Sequence, residues 1–290
     1  MSLHVTAQCL MCHFNRTMKK AIAQGDDKKA MAFARELMQM YASAPEDISS
    51  PWYNPQVSAL FSRHFGLEEE QYLEEKDLSN RFVMDRFDTI YALSENAEDP
   101  VLAGLQLAIL GNYMDFAALQ DQVSFEKLDQ MLREALNMQL DMAVYEALRQ
   151  DLQKGRKLLY LTDNAGEIGM DRIFAQQIHK AYPHLEITFC VRGGLTVNDA
   201  TREDAAFVGI PFPVIDNGNL VSGTQLDQLS PEAKEAMDTA DVIIAKGMAN
   251  TETLYGSGYP IYYAFLVKCV RFVEEFKKPL MTPMLVKEPR

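Results

Sequence analysis

Positive charge is scarce in this sequence. Its 290 residues include 28 Lys and Arg against 41 Asp and Glu, a formal net charge of −13. Nucleic acids and anionic membranes both reward a basic surface, so neither is expected as a main partner. No run approaches the ~20 apolar residues that a membrane helix needs. The opening Met-Ser-Leu-His-Val-Thr-Ala-Gln-Cys has no basic flank and no sustained apolar stretch, so it does not read as a secretory signal. The expectation is a cytoplasmic protein. Cysteine is also rare: Cys9, Cys12, Cys190 and Cys269 are all there are, too few for a disulfide scaffold at this length. Three nucleotide and nucleophile signatures are missing as well. There is no Gly-x-Gly-x-x-Gly after a strand, no Gly-x-x-x-x-Gly-Lys-Ser/Thr and no Gly-x-Ser-x-Gly. Ordinary dinucleotide binding, P-loop chemistry and a serine nucleophile elbow are therefore disfavoured. What remains, 48% hydrophobic and 24% charged residues, describes a globular chain with ample core for one large domain or two smaller ones.

The first half reads as helix after helix. Cys9-Leu10-Met11-Cys12-His13 has the form of a c-type haem attachment site, which needs export. A zinc site needs further ligands at matching spacing, and a thioredoxin-like redox pair needs a preceding strand. The favoured reading is a structural pair near a helix start, with a metal or redox pair as the alternative. Apolar residues at three and four spacing predict helices over 14–23 and 28–42, then 52–65, 71–93, 101–119 and 125–152. Asp99-Pro100 suits an N-cap followed by proline in the first turn. Gly111-Asn112-Tyr113-Met114-Asp115 interrupts an apolar run. Asn112 and Asp115 share a helix face, either at a polar helix end or looking into a cleft.

From Lys154 the period changes. Strand-like runs at 157–162, 186–192, 212–215, 241–245 and 280–285 alternate with helical pieces at 167–181, 201–207, 231–239 and 261–276. This alternation predicts a doubly wound, Rossmann-like parallel sheet. The expected organisation is an all-helical domain over 1–153 and an α/β domain over 154–290. The loops that follow the strands share one sheet edge, where open α/β folds bind ligands. They bring Asp163, Asn164 and Glu167, then Gly193, Gly194, Asn198 and Asp199, then Asp216-Asn217-Gly218, then Lys246, Asn250 and Glu252. Asp163 and Asn164 read either as an Asx cap on the next helix or as ligands of a hard cation. Four successive loops of this composition favour the cation. Oxygen donors without histidine or thiolate suit magnesium or manganese better than zinc. A hard cation beside carboxylates and one lysine suits phosphoryl hydrolysis: Lys246 offsets charge on the transferring group and a carboxylate orients the nucleophile. Lys246 also reads simply as a solvated strand-end lysine. An acidic protein that binds phosphate needs such a local positive source.

The same residues carry a resemblance. Asp163-Asn164-Ala165-Gly166-Glu167, Gly193-Gly194 with Asn198-Asp199-Ala200-Thr201, and Lys246-Gly247 with Asn250 and Glu252 resemble the motifs of the domain-of-unknown-function 89 family, the metal-dependent damage-control phosphatases. Gly111 to Asp115 and the early Cys-x-x-Cys resemble its archaeal and bacterial branch. The resemblance implies a helical domain on a Rossmann-like domain with a divalent metal between them. By motif, Asp163, Asn164 and Asp199 would bind the metal and Lys246 would contact the substrate phosphate. Asn112 and Asp115 would complete the pocket, with Glu167, Asn250 and Glu252 as substrate or water contacts. The implied ion is magnesium, manganese, cobalt or nickel, and the implied substrate a small phosphorylated metabolite such as a sugar phosphate or a damaged phosphate ester. Position 248 is Met and 249 is Ala, where the family favours more polar residues or glycine. Two other readings stand beside this one. A methyltransferase using S-adenosylmethionine fits a Rossmann-like sheet but not Asp-Asn after the first strand. A non-catalytic binding protein would leave the clustered carboxylates repelling one another without purpose.

Overall fold

The computed structural model describes residues 3–66, 69–112, 130, 132 and 134–289. Helices fill the first half: α1 (Ala7–Ala23), α2 (Asp27–Ser43), α3 (Tyr53–Phe65), α4 (Glu69–Met84), α5 (Phe87–Glu95), α6 (Pro100–Gly111) and α7 (Met142–Lys154). The start of α6 follows its sequence signal. Asp99 accepts from the Val101 and Leu102 amides, and Pro100 fills the first helical position, where no N–H is missed. Cys9 and Cys12 lie in the first two turns of α1, with Thr6 as its N-cap.

The second half alternates: β1 (Lys157–Leu161), α8 (Glu167–Ala181), β2 (Glu186–Val191), α9 (Arg202–Phe207), β3 (Val214–Asp216), α10 (Pro231–Thr239), β4 (Val242–Lys246), α11 (Gly247–Leu254), β5 (Ile261–Leu266), α12 (Val270–Phe276) and β6 (Pro283–Lys287). The sheet order is β3-β2-β1-β4-β5-β6. The first five strands run parallel and β6 pairs antiparallel with β5. Order reverses between β1 and β4, so the topological switch point lies there.

Several expectations change. Residues 71–93, expected as one helix, are α4 and α5, separated at Asp85-Arg86, and the helix expected over 125–152 is interrupted at 138–141 before α7. The part of the expected helix 101–119 beyond 112 lies outside the described residues. Residues 261–276, expected as one helix, are strand β5 followed by the short helix α12. The run Ile-Tyr-Tyr-Ala-Phe-Leu is apolar without period because both faces of this interior strand are buried. The last strand begins at Pro283, the first position of an edge strand, where a missing N–H costs little. Gly247–Leu254, expected as a loop, is helical.

Side chains alternate across the sheet. Leu158, Tyr160, Phe189 and Ile244 pack with α6, α7 and α8 in one core, so these helices of the first half share their interior with the sheet. Leu159, Leu161, Ile243 and Phe265 face α10 and α12 on the other side. Helices α1 to α3 enclose a separate cluster around Phe33, Leu37, Leu60 and Phe61. No helix among the described residues is long and apolar enough to cross a membrane.

Candidate active site at the carboxyl edge of the sheet

β1 ends in Thr162, and the turn after it brings Asp163 and Asn164 to the switch point. Neither residue caps α8. Its N-cap is Gly166, at φ 75° with no side-chain cap bond, and the Gly166 amide donates to Asn80 Oδ1 at 2.7 Å. The side chains instead turn toward one another. Asn164 Nδ2 donates to Asp163 Oδ2 and to Glu167 Oε2, both at 2.9 Å. From α6, Asn112 Nδ2 donates to the same two oxygens at 2.9 and 3.1 Å. Two amides thus bridge two carboxylates. With its nitrogen committed there, Asn164 has its carbonyl oxygen left for another partner. Gly247, the first residue of α11, lies directly under Asp163. Its φ is +78°, and a Cβ at this position would meet Asp163 Oδ2 at 1.8 Å. Only glycine fits.

Below this layer Lys246 is completely buried. Its Nζ donates to Ala108 O at 2.7 Å, Glu167 Oε1 at 2.6 Å and Asp171 Oδ1 at 2.7 Å. Burial opposes its charge, but Asp171 and Glu167 outweigh that effect and raise its pKa. Asp171 also accepts from Tyr160 Oη at 2.9 Å. Burial pushes it up to about 7, with Lys246 pulling down and Glu167 pushing up. Lys246 therefore lies behind the cleft and not on its surface. Asp171, which the sequence reading did not single out, is one helical turn after Glu167 on α8, so their spacing carried the signal.

Asp199 enters from the loop after β2. That loop is tied to the β1 turn by Ala165 N to Asn198 O and Ala200 N to Asp163 O, both 2.8 Å. Val197, just before it, adopts φ 49°, an unfavourable conformation for a β-branched residue and one imposed by this tethering. Arg192, also buried, donates through Nε to Asp199 Oδ2 at 2.6 Å. Ser222 Oγ donates to Asp199 Oδ1 at 3.2 Å. A chain of hydrogen bonds leads on from Ser222 to the helical layer. Asn54 Nδ2 donates to Ser222 at 3.0 Å, His13 Nε2 lies 3.4 Å from Asn54 Oδ1, and Tyr41 Oη lies 2.6 Å from His13 Nδ1. Because Asn54 gives its nitrogen to Ser222, its oxygen accepts from His13 Nε2–H. In a neutral imidazole His13 Nδ1 then accepts from Tyr41 Oη. Burial, aided by Arg16, pushes the His13 pKa down to about 4, with Asn54 opposing.

A cleft of about 430 Å³ opens between these two layers. Asp163, Asn164, Asn198, Asp199 and Ser222 line it on the sheet side, and Cys9, Cys12, His13, Arg16 and Asn54 on the helical side. Met248, Glu252, Lys268 and Arg271 lie along it as well. Burial pushes Glu252 up to about 7, against Arg16 and Arg271. The structure thus brings together Asp163, Asn164, Glu167, Asn112 and Asp199, with Glu252 farther along the same cleft. It places the other expected residues elsewhere. Asn250 is buried, bonding Thr162 O, Lys246 O and Thr224 Oγ1, and so holds the β1 and β4 ends together. Gly193 bonds Asn217 Oδ1 and Asn219 O, and a Cβ there would lie 2.6 Å from the Asn219 amide. It serves close packing of two loops, and neither it nor Gly194 lines the cleft. Asp115 lies outside the described residues.

Within this cluster four buried carboxylates, Asp163, Glu167, Asp171 and Asp199, face two buried cationic side chains, Lys246 and Arg192. The surplus is negative and desolvated, a setting that a cation relieves. Among the described residues no trio of His, Cys, Asp or Glu is arranged to hold a metal. Beside Asp163 and Asp199 the Asn164 amide oxygen is a further oxygen donor, and an all-oxygen set would suit a hard ion.

Comparison with known proteins identifies the family. The family described as the damage-control phosphatase ARMT1-like domain matches residues 5–282. A damage-control phosphatase of Archaeoglobus fulgidus is 29% identical over 276 residues, 92% of this chain and 93% of its own. A second damage-control phosphatase, of Pyrococcus horikoshii, is 32% identical over 179 residues, 60% of this chain and 61% of its own. An uncharacterized protein of Methanocaldococcus jannaschii is 29% identical over 281 residues, 92% of this chain and 90% of its own. The crystal structure of a Pyrococcus horikoshii DUF89 family protein superposes with a TM-score of 0.81 at 25% identity, covering 99% of each chain. The chain belongs to the damage-control phosphatase ARMT1-like domain family.

Proposed function

We propose that the protein is a metal-dependent phosphatase that hydrolyses small phosphorylated metabolites, among them damaged or side-product phosphate esters. The observation that carries this reading is the buried excess of carboxylate at the switch point, on a chain whose family is described by phosphatase activity. Asp163, Asn164 and Asp199 would hold the ion, magnesium or manganese by donor hardness, with cobalt or nickel as further candidates. A bound divalent ion supplies Lewis-acid polarisation of the phosphoryl oxygens and neutralises their charge. The protein's own residues prepare that site. Asn112 and Asn164 fix the carboxylates of Asp163 and Glu167, so little reorganisation remains when substrate arrives. Arg192 and Ser222 hold the two oxygens of Asp199 in one orientation. Lys246 acts from behind, balancing Glu167 and Asp171. Direct contact with the substrate phosphate requires it to exchange one of its three acceptors.

The S-adenosylmethionine alternative draws no support from the named relatives, and Asp163 over Gly247 occupies the turn where such an enzyme opens a glycine-rich loop. The test is hydrolysis of p-nitrophenyl phosphate and sugar phosphates by EDTA-stripped protein, with each divalent ion added back, beside Asp163→Ala. Turnover that returns with metal and disappears in the variant is the expected result. Turnover that needs no metal, or survives in Asp163→Ala, refutes the site.

A further inference from the structure

The cleft lining carries charge of both signs. Asp163 and Asp199 line it from the sheet edge, Lys268 lines it close to them, and Arg16 on α1 and Arg271 on α12 gather around Glu252. In a chain with 41 acidic and 28 basic side chains, three cations around one cleft run against the composition. Glu252 is the acid among them, so three cationic side chains meet one carboxylate. The three cations differ in how they are engaged. Lys268 Nζ donates to Asn112 O at 2.9 Å, which ties it to the acidic cluster. Arg271 gives Nη1 to Glu275 Oε2 at 2.7 Å, but its Nε is buried with no hydrogen-bond partner among the described residues. The Arg16 side chain is exposed at the cleft wall and makes no hydrogen bond or ion pair among the described residues. A buried donor without an acceptor is destabilising until one arrives, and a guanidinium fork is shaped for a planar or tetrahedral oxyanion. The cleft, at about 430 Å³, also has room for a carbon skeleton beyond one phosphoryl group.

The geometry points to a second anion subsite: Arg16 and Arg271, gathered around Glu252, receive an acidic group of the substrate, a carboxylate or a second phosphate, while the ester is held near Asp163 and Asp199. This deepens the phosphatase reading and rests on it for where the ester is held. The preferred substrate class is then a phosphate monoester carrying a second acid, and neutral sugar phosphates are the poorer substrates.

Two matched pairs of probes test this. 3-Phosphoglycerate differs from glycerol 3-phosphate by a carboxylate, and fructose 1,6-bisphosphate differs from fructose 6-phosphate by a phosphate. Dissociation constants are measured by calorimetry on the full chain in EDTA, and KM is measured with metal restored. The expected result is about 10- to 100-fold tighter binding of the diacid in at least one pair, the range of charge-assisted hydrogen bonds. Arg16→Gln and Arg271→Gln should each bring that ratio close to one. The pair that discriminates identifies the second group as carboxylate or phosphate. Equal or undetectable binding of both members in both pairs overturns the subsite, as does a preference that survives both substitutions. Hydrolysis with no diacid preference leaves the phosphatase reading standing alone. Diacid-selective binding with no hydrolysis of any probe leaves the subsite and removes the phosphatase reading.

Discussion

Asp199 and Arg16 face the same cleft from opposite walls, and their surroundings differ in kind. On the sheet wall, Asp199 is held by Arg192 and Ser222, and Asp163 by two amides over a glycine. On the helical wall, the Arg16 side chain is exposed, and α1 to α3 pack around their own core cluster. The described ties between the walls are few. Asn54 donates to Ser222, the Leu3 amide donates to Glu252 O at 3.0 Å, and Met248 and Ala249 of α11 line the cleft beside Ser50 and Pro51. The contrast teaches a division of labour. Chemistry that must not drift is built where parallel strands and buried ions determine every side chain. On the proposed reading, recognition, which varies with substrate, would fall to a layer that packs around its own core and can alter without disturbing the sheet.

The largest break in this comparison is expected on the sheet wall. Asp163→Ala should lower kcat by about 10³-fold or more, since a hard-cation site supplies several kcal/mol of transition-state stabilisation. Gly247→Ala should do nearly as much without touching a charge, because its Cβ would overlap Asp163 Oδ2. A Gly247→Ala protein with normal kcat and normal metal dependence would mean that the carboxylate is free to move, and the sheet wall is less rigid than it looks. Next comes Lys246→Met. Removing the single cation shared by Glu167 and Asp171 leaves two buried carboxylates together, and loss of one partner of a buried ion pair costs about 3–5 kcal/mol. A urea midpoint unchanged in this variant would sink the account of the cluster.

How much of this was legible in the sequence also divides along the two walls. Strands β1, β2 and β4 and their loops could be read because a short apolar run ending in Asp, Asn or Lys is a local pattern. Asp163, Asn164 and Asp199 followed from it. β5 could not be separated from a helix, since an interior strand buried on both faces loses the period-two signature. Asp171 had a local signal, its spacing from Glu167, that went unread. The contributions of His13, Asn54, Ser222 and Arg192 had none. They meet Asp199 through contacts up to 168 residues apart, and a single sequence shows periodicity, not contact. The depth of Lys246 was hidden for the same reason: only the packing of α6 on α8 and β5 brings Ala108 O to its amine.

A finer comparison uses pH, because the two walls titrate with opposite sign. Asp171 is pushed from the ordinary carboxylate range up to about 7, so between about pH 4 and 7 the folded protein holds a proton that the unfolded chain has released. Its contribution to stability is present at low pH and is lost as pH rises through 7. His13 is pushed down to about 4 from 6.5, so over that interval the unfolded chain holds the extra proton. Its contribution is present above 6.5 and is lost as pH falls toward 4. Each should contribute on the order of 3–4 kcal/mol at the far end of its range. Melting temperature measured at pH 5 and at pH 7.5 should separate them: Asp171→Asn flattens the decline toward high pH, and His13→Gln flattens the loss toward low pH. The same direction of change in both variants would refute the opposed signs.

The smallest effect tests whether the walls speak to each other at all. Asn54→Ala removes the donor to Ser222 and the acceptor from His13, so the chain from Tyr41 to Asp199 is cut at its middle. Two neutral hydrogen bonds suggest a stability cost of only about 1–2 kcal/mol. Ser222 then keeps its bond to Asp199 but loses the partner that orients it. If that orientation matters, the concentration of metal needed for half-maximal activity should rise several-fold, as it does when outer partners of metal ligands are removed elsewhere. Ser222→Ala should shift the same quantity further, since it removes the contact to Asp199 itself. A ranking of Ser222→Ala above Asn54→Ala, with His13→Gln weakest, means that the helical layer tunes the metal site along this chain of bonds. A metal requirement untouched by Asn54→Ala but raised by Ser222→Ala stops that influence at Ser222, and the helical wall is then left with recognition alone.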